Sequence, residues 1–308
     1  MEILGFTAQV AIQVFILFLL IFTGLILFKT KLIDSKGVTY LVNILFYAVT
    51  PVLIINSFGQ VKFSKESAAS LAIVFACSVL AHSIGIIIGV IIFRNKGDKT
   101  ALLRTSVIFS NCGFMSLPLA EALFKSQGVF LVSAYVAVNN LIIWTVGVKM
   151  FSGGKMSLKK AFLNPGVIGI LLGLPIFLFG IEIPAPIGAA FTHISNLNTP
   201  LAMIIVGCYL AEASLRPQKG DVLMWVTFLF RLIIVPVVSL LLFLALRVGG
   251  TTLSCVMIPV SAPTAASVMM FTAKYGGDTR LASRIVPIST LLSIITMPLI
   301  LTLTELSK

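Results

Sequence analysis

Two stretches break the apolar runs of this chain with residues able to hold a ligand: Asn-Cys-Gly-Phe-Met-Ser-Leu-Pro at 111–118 and Pro-Val-Ser-Ala-Pro at 259–263. Proline, glycine and small polar residues stand there near the middle of segments long enough to cross a bilayer, where each unsatisfied backbone group costs several kcal/mol. A proline one or two residues after a serine suits the first turn of a helix, with the serine hydroxyl as N-cap. Half-helices are therefore expected to begin near Ser116 and Ser261 and to aim free N–H groups and positive dipole ends at the membrane centre. Two such ends converging in a low dielectric make an anion site, and the Asn111 carboxamide adds a polar contact without net charge. The plainer alternative is that each proline only kinks its helix while neighbours satisfy the freed carbonyls. Two breaks at matching places in opposite halves of the chain favour the ligand site.

The elements that must position these residues are membrane helices. Of 308 residues 58% are hydrophobic and 10% charged, and mean hydropathy is +1.11, a composition of a polytopic all-α membrane protein. Ten spans are expected near 8–28, 37–58, 67–93, 102–124, 127–149, 162–180, 186–211, 221–246, 252–273 and 281–304. The first follows Glu2 without a basic n-region or cleavage site and reads as a retained helix. With the N terminus outside, 16 Lys and Arg fall on one face, among them Lys96, Lys155, Lys159, Lys160, Arg216 and Lys219. The other face receives 5, including Lys125 and Lys308, while Arg231 lies within a span. This asymmetry puts both termini outside a cell membrane. It also accounts for the net charge of +12: short cytoplasmic loops carry it, with no basic and aromatic surface for nucleic acid.

Ten spans divide at the basic loop 152–160, so that 1–151 and 161–308 become two five-helix repeats. An odd number of spans per repeat makes the second inverted. An offset of 149 residues superposes Gly24 on Gly173, Thr50-Pro51 on Thr199-Pro200, Lys125 on Lys274 and Gly128 on Gly277. The Ser-x-Pro patterns at Ser116 and Ser261 match only at 145, about one helical turn away. Either one half carries a local insertion or that match is accidental.

Buried ionisable groups have two readings each. Glu121 is either a carrier of a coupled proton or an acid stabilising its own half-helix. Arg231, near a midplane, either attracts an anion or pairs with an acid or a helix C terminus. His82 is either a proton relay or a neutral packing residue. Glu212 and Asp221 balance Arg216 and Lys219. Cys77, Cys112, Cys208 and Cys255 have no paired spacing and read as apolar fillers; no metal site or cofactor is expected. The sequence lacks a phosphate-binding loop, H-E-x-x-H and G-x-S-x-G, which argues against an ATP-driven pump and an intramembrane enzyme.

Five segments in order, TPVLIINSF, NCGFMSLPL, NPGVIGILLG, TPLAMIIVG and SAPTAA, resemble the auxin efflux carrier family of plant auxin exporters and bacterial malate and malonate permeases. The resemblance implies a fold similar to bile-acid symporters and sodium/proton antiporters. Spans 1, 2, 6 and 7 would form a scaffold and spans 3–5 and 8–10 a mobile domain with crossing broken helices 4 and 9. It implies a substrate site at Asn111, Gly113, Phe114, Met115 and Pro118 with Ser261, Ala262, Pro263 and Thr264, and a homodimer through the scaffold. Asn139, Asn140, Glu121 and Ser289 are the candidates for holding a coupling sodium ion; a proton is the other possible coupling ion. The function expected is secondary transport of a small mono- or dicarboxylate by alternating access. The alternatives are a sodium-coupled symporter of the bile-acid type and an anion-binding receptor without transport.

Overall fold

The computed structural model describes residues 2–95, 97–152, 162–213 and 222–307. Lys96, Lys155, Lys159, Lys160, Arg216, Lys219, Asp221, Lys308 and the linker from residue 153 onward lie outside the described residues. The described chain is helical: α1 Glu2–Lys29, α2 Ser35–Gln60, α3 Lys65–Ile92, α4 Thr100–Ile108, α5 Cys112–Phe151, α6 Pro165–Phe179, α7 Ala185–Glu212, α8 Val222–Ala245, α9 Gly250–Ser261, α10 Ala266–Lys274 and α11 Thr279–Leu306. Among them α1, α2, α3, α5, α7, α8 and α11 are long and apolar enough to cross a bilayer. The span expected over 102–124 is divided between α4 and the start of α5, and that over 252–273 between α9 and α10. The one at 127–149 continues α5 beyond a break at Lys125, whose backbone leaves the helical region at φ 53°, ψ −144°.

Local chemistry sets the helix ends. Asp34, Ser64, Asn164 and Asp278 each accept a backbone N–H two or three residues on, at 2.7–3.0 Å, and so start α2, α3, α6 and α11. Gly180, at φ +60°, ends α6 in the left-handed conformation that glycine adopts without strain. Proline explains most of the irregularity inside the long helices. Wide i→i+5 turns occupy Leu45–Val49, Cys112–Ser116 and Phe230–Ile234, each followed after one residue by Pro51, Pro118 or Pro236. A proline has no N–H to donate and its ring crowds the preceding turn, so the turn widens instead of the helix ending. A fourth wide turn, Ile143–Gly147, has no following proline.

Helix α1 packs on α7 with almost no side chain between them, and α2 packs closely on α6. A Cβ on Gly24 would stand 2.1 Å from the Ile204 carbonyl oxygen, and one on Gly207 2.0 Å from that of Ile21. Gly173 meets the Phe58 side chain in the same manner at 2.9 Å. Contacts this close need glycine because the obstructing atoms at Gly24 and Gly207 are backbone, which cannot rotate away. Helix α3 packs against α4, α5, α8 and α9. Polarity is distributed as a lipid solvent demands: Phe15, Phe22, Ile91, Leu241 and Ile295 are exposed, whereas His82, Asn111, Asn139, Arg231 and Thr264 are buried.

The backbone contact between α1 and α7 predicts a specific intolerance. Gly207→Val should lower stability by about 1–3 kcal/mol or prevent folding, read as a lower melting temperature in detergent. Gly5→Ala, where no atom lies within 4 Å, is the control. Equal melting of Gly207→Val and the parent protein would refute the close packing.

Candidate functional site

The two interruptions foreseen at 111–118 and 259–263 lie side by side. Between α4 and α5, and between α9 and α10, the chain is extended, and Ser110 faces Thr264 in an isolated antiparallel bridge. The Asn111 N–H donates to the Pro263 carbonyl at 2.8 Å and the Ala265 N–H to the Phe109 carbonyl at 2.9 Å. Each break thus satisfies part of the other's backbone, which a lone break in a hydrocarbon interior could not do. Thr264 adds two bonds: its hydroxyl donates to the Ser106 carbonyl at 3.0 Å, and its N–H to the Ser289 hydroxyl at 3.3 Å.

The helix boundaries correct the expected caps. Helix α5 begins at Cys112, so Ser116 lies inside its first turns and caps nothing; its hydroxyl is buried without a hydrogen-bond partner among the described residues. Ser261 closes α9, with its hydroxyl turned back to the Ile258 carbonyl at 3.1 Å, and α10 begins only at Ala266. The physical reason is that Pro118 is accommodated by the wide turn before it rather than by a helix start, while Pro263 lies in the extended segment itself. The Ser-x-Pro match at an offset of 145 therefore joins a residue after one break to a residue before the other, and is accidental.

Four helix ends meet at this crossing: the C-terminal ends of α4 and α9 and the N-terminal ends of α5 and α10. Arg231, from the wide turn in α8, is 1% exposed and covers the carbonyl ends. Its Nε donates to the Ala262 carbonyl at 3.0 Å, Nη1 to that of Val107 at 3.2 Å, and Nη2 to those of Val260 at 2.6 Å and Pro259 at 3.5 Å. Of its two sequence readings, pairing with helix C termini is what the geometry shows. Each helix end carries about half an elementary charge, so two ends of each sign cancel and the guanidinium leaves the crossing with a surplus of about one positive charge.

At the N-terminal side of α5 the polar groups are less occupied. Asn111 is 5% exposed, and its carboxamide makes no hydrogen bond among the described residues. A Cβ on Gly113 would meet nothing within 4 Å, so open space adjoins the first turn. Phe114 borders it half-buried, whereas Met115 and Pro118 are buried in the packing behind. Ser261, Ala262, Pro263 and Thr264 are fully or almost fully buried, and their polar atoms largely serve Arg231 and the bridge. They hold the crossing together from within.

The candidate sodium ligands do not gather. Glu121 accepts from the Thr199 hydroxyl at 3.2 Å and lines a cavity of about 150 Å³ together with Asn56, Gln60, Lys125 and Ser126. Across this cavity the Ser126 hydroxyl donates to the Gln60 carboxamide. Asn139 contacts His82 Nε2 at 3.1 Å, Asn140 lies beside Gly166, and Ser289 serves Thr264. Glu212 accepts from Ser35 at 3.1 Å. The four cysteines are buried and form no disulfide among the described residues, and the Cys208 thiol donates to the Gly24 carbonyl at 3.4 Å. Sequence reasoning overlooked Tyr135, which packs on the His82 ring at 4.9 Å between centroids and shares a 3.5 Å contact with the Ser110 hydroxyl. The signal was present: Tyr135 and Asn139 are four apart in an apolar span and share a helix face.

Residues 9–156 and 150–301 match the family model described as membrane transport protein. The chain belongs to this family. It is the family to which the auxin efflux carrier resemblance pointed, and its members are membrane transporters rather than enzymes. Similar full-length relatives include an uncharacterized transporter of Methanothermobacter thermautotrophicus, 26% identical over 91% of this chain and 93% of its own. An uncharacterized transporter of Methanocaldococcus jannaschii is 24% identical over 93% and 96%. A protein of Rhizobium meliloti described as a "putative malonate transporter" is 22% identical over 90% of each chain.

Removing the guanidinium tests the electrostatic balance. Arg231→Met leaves the Val107, Val260 and Ala262 carbonyls without their donor and should cost about 3 kcal/mol or more, with Arg231→Lys recovering only part because one ammonium cannot span the same acceptors. Unfolding in mixed detergent reads the difference; parent-like stability of Arg231→Met would contradict this role.

Proposed function

We propose that this membrane transporter is a secondary carrier of a small organic anion, a mono- or dicarboxylate, bound at the crossing of the two broken helices. The observation carrying this reading is the Asn111 carboxamide, nine-tenths buried and without a hydrogen-bond partner among the described residues, at the positive end of α5 beside the space at Gly113. A carboxylate there would accept from Asn111 and from first-turn N–H groups, in the surplus positive charge left by Arg231. The malonate named in the description of the Rhizobium relative has this chemistry.

Alternating access follows from a ten-span arrangement with inverted halves, each broken pair counted as one span, in the cell membrane with both termini outside. The glycine contacts support the repeat: the offset of 149 carries the Gly24 and Gly207 pair onto the Gly173 and Phe58 pair, and both are close contacts. In this reading α1, α2, α6 and α7 are a scaffold, through which two copies associate, and the remaining helices move against it. The Thr199 to Glu121 and Gln60 to Ser126 hydrogen bonds cross that boundary. Bonds of this exposed or part-buried kind can break and re-form as the domains move.

Counterflow decides between a carrier and a receptor. Vesicles containing the purified protein and loaded with unlabelled malonate should accumulate labelled malonate, and Asn111→Ala should reduce that flux by about 10-fold or more, as loss of a hydrogen bond to a charged group implies. Absence of counterflow across a panel of mono- and dicarboxylates, despite measurable binding, would assign the protein to anion sensing.

A further inference from the structure

We infer that the His82 and Asn139 pair is a proton-binding site that couples one proton to the anion. This rests on the carrier reading above and names its coupling ion. His82 is 1% exposed in α3, and its two ring nitrogens have different partners. Nδ1 lies 2.7 Å from the Ser78 carbonyl, which can only accept, so Nδ1 carries a hydrogen in every protonation state. Nε2 is therefore the titrating atom, and it faces Asn139 at 3.1 Å.

A carboxamide can answer either state of Nε2 by turning over. Neutral His82 offers a lone pair there, which takes the Asn139 NH2 and leaves the Asn139 oxygen outward. Protonated His82 donates instead to the Asn139 oxygen and turns the NH2 outward. That outward Nδ2 has no hydrogen-bond partner among the described residues, and Asn139 is 6% exposed. A proton arriving at Nε2 thus changes the group that Asn139 presents from an acceptor, which repels a carboxylate, to a donor, which binds one. The same proton adds a positive charge behind the crossing.

The pair is connected to the broken helices by packing. The His82 ring lies 6.3 Å from that of Phe109, the residue that opens the first break, and 4.9 Å from Tyr135, which contacts Ser110. Around it, α8 and α4 carry one charged side chain each, Arg231 and Arg104, and the only titratable group of α9 is the Cys255 thiol. Helix α5 adds Cys112, Tyr135, Glu121, Lys125 and Lys149, and α3 itself Lys65, Glu66 and Cys77. Arg104 is bonded through Nε to the Phe93 carbonyl, and Glu121 and Lys125 line their own cavity. Arg231 is the charged group buried at the crossing, and repulsion between a protonated His82 and this guanidinium is what an arriving anion relieves. Proton and anion binding are then mutually strengthening.

The chain has two histidines, His82 and His193, so ring-nitrogen NMR of ¹⁵N-histidine-labelled protein in nanodiscs resolves His82 by comparison with His82→Gln. On acidification His82 should change from the Nδ1–H form to the doubly protonated form, and malonate should increase the protonated fraction at a given pH. A His82 that stays neutral at every pH at which the protein remains folded overturns the inference without reference to any ligand. In binding measurements, malonate affinity should fall by up to about tenfold per pH unit above the His82 titration, with proton uptake on malonate addition; His82→Gln should abolish both dependences. Malonate binding whose affinity is independent of pH in the parent protein, or a pH dependence retained in His82→Gln, overturns the coupling. Failure of malonate counterflow with His82 still titrating refutes the carrier reading instead.

Discussion

The extended segments at the centre of the molecule can exist in a hydrocarbon interior only because their polar backbone is answered from within the protein. Two kinds of partner do this. Phe109 to Asn111 and Pro263 to Ala265 exchange hydrogen bonds across the crossing, and Arg231 gathers carbonyls from α4, α9 and the residue after α9. The division between them has an electrostatic result. The backbone exchange is neutral, whereas the guanidinium occupies only the negative helix ends. The positive ends, with Asn111 at one of them, are what the proposed anion would meet.

The surrounding helices divide by the type of contact they make. Where α1 meets α7 the obstruction to any side chain is main chain at about 2 Å from a would-be Cβ, a rigid contact with no alternative packing. Where α5 meets α2 and α7 near the Lys125 break, the bridging groups are single hydroxyl and carboxylate contacts lining a polar cavity. Such contacts contribute little individually and exchange with water easily. The polar cavity is only part of that boundary, since α5 also meets α2 and α6 through the buried Phe130 ring, 4.7 Å from Phe58 and 4.8 Å from Phe177 between centroids.

A good part of this was legible in the chain. The apolar runs located the spans, because segment length and composition are set by bilayer thickness alone. The family followed from ordered motifs, and the breaks from proline, glycine and asparagine where apolar residues belong. The serine caps were misplaced because local rules give a proline after a serine a helix start. Pro118 instead sits behind a wide turn within an already begun helix. The four expected sodium ligands were equally plausible by residue type, yet the fold disperses them to Thr199, His82, Gly166 and Thr264.

By itself the sequence determined that this is a helical membrane transporter of a known family, interrupted at two particular places, because hydropathy, charge and breaker residues act locally and need no partners. The tertiary structure decided what the interruptions do. Whether Arg231 would meet an acid, an anion or a helix end, and whether His82 would pack silently or face a carboxamide able to turn over, depends on neighbours 28 to 124 and 57 residues away in the chain. No local pattern encodes those distances; only the packing of α3, α5, α8 and α9 around the paired breaks sets them.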